Sequence, residues 1–442
     1  MAQERQLTFG KYGHMLNRRQ AISPDGQWAV YDTRNDDAHI ASTDAIEMVH
    51  LDSGEIVSLY RTPQSSLHGP GVGAVAFHPI EDQVVFIHGL ESCSRDSPYS
   101  AARRFGALVR VDSPGKYTHA EARVDHKLDG SRVRGNGILS GGTHAHSWNQ
   151  EGWLSFTYND AWLERTARQD NRFSDLRTVG FMRPGPCTSV DGKPGETFDG
   201  TYQAFLATQV CKNAIHGSDD IEQAVEECWI GKNGYTNQQG VHRSKALAFQ
   251  GAVRNDQGEL IREIFVCDLT HPENPRDSVL GESVLGKEMN SSELLEPARG
   301  CNQRRLTRTL SRTYPGVQGT RNWLVSSPDG MHIYAPMRDE KGIAQLHRVN
   351  ISDGQIDQIT DWEQSLEGQI SLNSQGTVSS NICDQRVCLT HVMTGKTVWL
   401  TQRMEHQLSG AVHFAGEHRI VFNRFVGEPA NGYMQVFVCE LE

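Results

Sequence analysis

Two histidines, His144 and His146, stand one residue apart in the run THAHSW. In an extended strand, residues two apart point to the same face. Such a pair offers two imidazoles to one divalent ion, manganese, zinc or similar. His88, in FIHG, is a candidate third histidine, and His68 and His88 flank one apolar-alternating run as a second possible pair. Tyr158 follows in FTYND. Its hydroxyl suits a general acid, or a base where a cation lowers its pKa. Arginines recur nearby: Arg104 after Arg103, Arg177 in DLRTVG, and Arg321 two residues before Trp323. A guanidinium grips a carboxylate through two parallel hydrogen bonds. An adjacent indole covers the apolar face of a sugar. Each residue also has a plainer role: a hydrogen-bonded histidine without metal, an ordinary strand tyrosine, a surface ion pair.

These residues need a scaffold that brings distant segments together, and the repeats describe one. Two identical turns, residues 23–26 and 327–330, read SPDG, and each leads into alternating apolar residues, QWAVYD and MHIYAP. Pro and Asp-Gly form tight turns, and period-two alternation marks a half-buried strand. Further strand–turn–strand units follow in AIEMVHLDSGEIVSLY and AQLHRVNISDGQIDQIT. Four antiparallel strands joined this way make a propeller blade. Weaker copies extend the count to seven, at about 21–62, 72–127, 143–210, 240–310, 320–362, 367–402 and 408–442. The last copy stops after three strands. Residues 4–10, containing RQLTFG, carry the pattern of a fourth. The expectation is an all-β, seven-bladed β-propeller of four-stranded antiparallel blades, one domain over residues 1–442, closed by its N-terminal strand so that no edge is left open. Loop and short-helix insertions fall at 161–175, 181–242 and 277–300. Ser218-Asp219-Asp220 ahead of IEQAVEECW predicts a capped short helix.

Composition narrows the function. A formal net charge of −11 argues against a nucleic-acid partner. No stretch suggests a membrane span, and the N-terminus lacks the apolar core of a signal peptide. The nine scattered cysteines read as reduced thiols in a cytoplasmic protein. P-loop, dinucleotide and Gly-x-Ser-x-Gly motifs are absent from the chain.

The SPDG turns and the QLT and WLT strands resemble the TolB-type propeller repeat. THAHSW, FTYND, YPGVQGTRNWLVSSPDG and TGKTVWLT together resemble the YidR-type bacterial propellers, over nearly the whole chain. More distantly the chain is similar to the oligogalacturonate lyases. In that family manganese is held by a His-x-His pair, a glutamine three residues before it and a histidine from a neighbouring blade. His144 and His146 match the pair, and Gly141 stands where the glutamine would be.

The resemblance and the residues together imply a β-elimination lyase on acidic, uronate-containing oligosaccharides. A cation or arginine would neutralise the carboxylate while a histidine or tyrosine takes the C5 proton. His144 and His146 are the metal candidates; His88, Tyr158, Arg177 and His68 the catalytic ones; Arg321, Trp323 and Arg104 the substrate-binding ones. The alternative is a non-catalytic, TolB-like propeller that binds a protein or a small ligand. Fold alone does not choose between them.

Overall fold

The computed structural model describes residues 3–125, 137–189, 192–269, 295–403, 408–428 and 430–441. Seven four-stranded antiparallel sheets follow one another along the chain as the blades of a propeller. Blade three is typical: Gly141–Trp148 innermost, then Leu154–Asp160, Arg177–Cys187 and Gly200–Leu206. Blade seven is completed as the sequence suggests. Glu4–Gln6 pairs antiparallel with Tyr433–Glu440, Arg5 standing opposite Val438. Leu7 continues this strand and donates its N–H to the Val436 carbonyl at 2.8 Å.

The two SPDG turns fold by the same local bonds. Ser23 Oγ donates to Asp25 at 2.5 Å while Asp25 accepts from the Gln27 N–H at 3.0 Å. Ser327 and Asp329 repeat this with Met331. The glycines take positive φ, +70° at Gly26 and +72° at Gly330, where a Cβ would be strained.

The apolar core lies between blades rather than at one centre. Separate buried clusters join blade one to two, four to five, five to six, six to seven and seven to one. The largest runs through blades two, three and four. This leaves the ring's axis to polar residues. Arg19, just after the first inner strand, reaches across it to the Ala145 carbonyl (2.6 Å) and to Glu227 of blade four (3.3 Å).

Two sequence expectations change. The segment read as a capped helix contains Ala224–Trp229, the innermost strand of blade four. Its apolar residues pack as a strand against Ala246–Arg254, and that pairing overrides the local capping signal. Blade one begins with Met15–Leu16, ahead of residue 21. Among the described residues the α-helix is Ala161–Thr166, capped by Asp160. The helix expected within 277–300 falls mostly outside the described residues.

Candidate functional site: an arginine-lined channel mouth

The innermost strand of blade three does not run as a regular strand. Its pairing with Leu154–Asp160 shifts between His144 and Ser147, and Ala145 sits at φ +58°. This is a β-bulge, which adds a residue and re-aims the side chains after it. His144 stands opposite Thr157, whose hydroxyl donates to Glu227 of blade four at 3.1 Å. His144 therefore shares the face turned toward blade four. His146 turns the other way: its Nε2 meets the Thr143 hydroxyl at 2.9 Å, and Thr143 in turn bonds Glu121 at the blade-two side. The expectation that both imidazoles share one face is corrected by the bulge.

Around His144 the charge is positive. Burial pushes its pKa well below that of ordinary imidazole, and Arg104, Arg177 and Arg321 add to the shift in that order. His144 is therefore neutral at physiological pH, and its Nδ1 is buried without a hydrogen-bond partner. His146 falls to about 3 through burial, with help from Arg104 and Arg19.

The arginines come from four blades. Arg104 begins the third strand of blade two, and Arg177 begins the third strand of blade three. Arg321 precedes the inner strand of blade five, Val325–Ser326. Arg262, in the third strand of blade four, joins them through Glu226. Their counter-ions are unequal. Arg321 Nε donates to Glu226 at 2.6 Å, and Arg262 donates to the same carboxylate at 3.1 Å. Among the described residues Arg104 donates only to the Tyr99 hydroxyl at 3.0 Å, and its Nε is buried and unpartnered. Arg177 Nε donates to the Asn159 amide oxygen at 3.1 Å. Burial and the nearby Arg104 and Arg321 lower the pKa of Arg177. Neither Arg104 nor Arg177 has a carboxylate partner among the described residues. A buried or half-buried guanidinium with no hydrogen-bonded carboxylate is a candidate to hold an anion.

The other sequence candidates lie elsewhere. His88 is 1% exposed; its Nδ1 donates to the Gly89 carbonyl at 2.5 Å and its Nε2 accepts from Tyr60 at 2.9 Å. It packs among Phe86, Phe105 and Tyr117 between blades one and two and is not brought to His144. Tyr158 is fully buried on the blade-two face, its hydroxyl donating to Asp160 at 3.1 Å and accepting from the Ser140 N–H at 3.3 Å. His68 lies in the loop ahead of the blade-two inner strand, and its carbonyl accepts the Tyr99 N–H at 2.8 Å. Trp323 reaches the mouth, but its ring is already stacked. Arg321 lies 4.4 Å from the ring centroid, with Arg19 at 5.5 Å and Arg18 at 5.8 Å.

A metal held by His144 and His146 does not fit this arrangement. The bulge turns the two imidazoles to different faces, and the charges around them repel a cation. Among the described residues no group of three or more His, Cys, Asp or Glu gathers at ligand distance.

Three residues of the mouth lie outside the sequence motifs, and Arg262, in LIREIFVCDL, has no signal around it. Glu226 lay inside the segment taken for a helix. Arg19 had only the dipeptide Arg18-Arg19 ahead of the first SPDG turn as a signal. Among the described residues no helix is long and apolar enough to cross a membrane.

Comparison with known proteins agrees with this architecture. Residues 71–196 match the family described as "Protein of unknown function (DUF3748)". A structure of oligogalacturonate lyase in complex with manganese is similar, with a TM-score of 0.53 and 11% identity over 100% of this chain and 93% of that one. Oligogalacturonate lyase from Vibrio parahaemolyticus is also similar in structure, with a TM-score of 0.50 and 10% identity over 100% of this chain and 94% of that one. The Escherichia coli (strain K12) protein described as "Uncharacterized protein YidR" is 30% identical over 402 residues, 90% of this chain and 89% of that protein. On that identity and coverage, this chain belongs to the YidR family, whose fold here is a seven-bladed β-propeller.

Proposed function

We propose that the channel mouth binds the carboxylate of an acidic, uronate-containing oligosaccharide and acts on it as a β-elimination lyase. One observation carries this reading: the charges of Arg104 and Arg177 both act on a neutral His144, and neither guanidinium has a hydrogen-bonded carboxylate among the described residues. The overall similarity to an oligogalacturonate lyase fold is consistent with it.

The chemistry follows from the charges. The substrate carboxylate accepts from Arg104 and Arg177, which spreads the negative charge that develops when C5 loses its proton. His144 is held neutral by burial and by those same arginines. A bound carboxylate cancels part of their field, so the basicity of His144 rises only when substrate is in place. His144 then takes the C5 proton. The C5–H electron pair forms the C4–C5 double bond, and the C4–O bond breaks toward the leaving sugar, whose oxygen takes a proton from water. No step needs a metal, because the guanidiniums supply the positive charge.

Incubation with a panel of uronate oligosaccharides tests this through the ultraviolet absorbance of the unsaturated product. Product with the native protein, lost in His144→Ala, supports the lyase. Tight binding without product in any of the panel would leave a non-catalytic, ligand-binding propeller. Neither binding nor product would remove the reading.

A further inference from the structure

Glu226 is the acid shared by Arg321 and Arg262, and its backbone is unusual. It sits at φ +51° within a bulge of the inner strand, where the pairing shifts between Val225 and Cys228. A left-handed non-glycine residue is strained, and such residues persist where surrounding structure over-determines them, often at functional sites. Here the Glu226 carbonyl accepts the Leu324 N–H at 3.1 Å. The side chain, 4% exposed, bridges Arg321 at 2.6 Å and Arg262 at 3.1 Å. A regular strand would not aim this carboxylate into the mouth.

The consequence is a divided ring of charge. On the blade-two and blade-three side, Arg104 and Arg177 have no hydrogen-bonded carboxylate among the described residues, although the charge of Glu226 reaches Arg177. On the blade-four and blade-five side, Arg262 and Arg321 already share one. Arg18 and Arg19 are likewise engaged, with Asp37 and Glu227. An anion approaching Arg321 meets the carboxylate of Glu226 and must compete with it.

We propose that Glu226 is a specificity-determining residue that restricts the mouth to a sugar residue presenting a single carboxylate there. Sugars with a second anionic group nearby, such as a sulfate or another carboxylate, are rejected by its charge. This rests on the reading of the mouth as a carboxylate site and names the class of acid that site accepts.

Titration calorimetry with two probes of the same carbon skeleton tests it: galacturonate, with one carboxylate, and galactarate, with two. The native protein binds galacturonate at least as tightly as galactarate. Glu226→Gln keeps the shape, frees both arginines and removes the repulsion. It tightens galactarate by about tenfold and changes galacturonate by less than about threefold. Arg262 is 45% exposed, so Arg262→Ala is a surface change that leaves the fold intact. It leaves Glu226 under-neutralised and weakens galactarate relative to galacturonate by about threefold. The proposal is overturned if folded Glu226→Gln shifts both probes by the same factor or neither. Should that variant unfold, Arg262→Ala decides, and an unchanged ratio overturns the proposal. If the native protein binds neither probe, the carboxylate reading itself fails and Glu226 loses its role with it.

Discussion

Replacing Arg104 by methionine separates a binding role from a structural one, because the two roles pull stability and affinity in different directions. In the native protein Arg104 is 8% exposed. It makes one charged hydrogen bond, to the Tyr99 hydroxyl at 3.0 Å, and leaves its Nε buried without a partner. Losing the bond costs about 1.5–3 kcal/mol, while removing a buried unsatisfied charged donor returns about 1–3 kcal/mol. Methionine keeps much of the apolar stem. These effects offset, so Arg104→Met changes the unfolding free energy by about 1 kcal/mol or less. Binding has no such compensation. Removing one partner of a desolvated charge pair costs roughly 2–5 kcal/mol, which weakens affinity for a uronate oligosaccharide by about 30-fold or more. Denaturant unfolding gives the first quantity and titration calorimetry the second. An affinity within about threefold of native, together with a stability loss above about 2 kcal/mol, refutes the reasoning and makes Arg104 a structural residue.

Two further outcomes test the fold and its buried histidines. Leu7 is 3% exposed between blades seven and one; Leu7→Ala costs about 2–5 kcal/mol in urea unfolding if the N-terminal strand closes the ring, and no change means the closure contributes nothing. Burial lowers His14, His347 and His413 to about 4 each. Their folded pKa values lie below the unfolded value near 6.5, so the folded state binds fewer protons in that window. Stability is full above about pH 6.5 and falls as pH drops toward 4; a melting temperature that stays flat over that range contradicts the burial of these rings.

The architecture was legible because it repeats. SPDG turns, alternating strands and a last blade short of one strand are local signals, and local bonds such as those of Ser23 and Asp25 enforce them. The site was legible in residue type: Arg104, Arg177, Arg321 and His144 were all singled out, and their charges act on one another. Its geometry was not. Period-two reasoning placed His144 and His146 on one face, and the bulge at Ala145 undid that. An alanine at positive φ leaves no mark in the sequence, since that conformation ordinarily belongs to glycine. The same device at Glu226 hid the acid of the mouth inside a segment with helix-capping residues. His88 and Tyr158 failed to join the cluster for another reason: strand position fixes the face but not the neighbour, and both faces of a blade are covered by adjacent blades.

Crystals of the protein grown with a uronate oligosaccharide test the central claim most directly. The account predicts a sugar carboxylate within hydrogen-bond distance of both Arg104 and Arg177, with C5 of that sugar facing the imidazole of His144. A sugar bound elsewhere on the propeller, or one whose carboxylate points to solvent away from both guanidiniums, would contradict it.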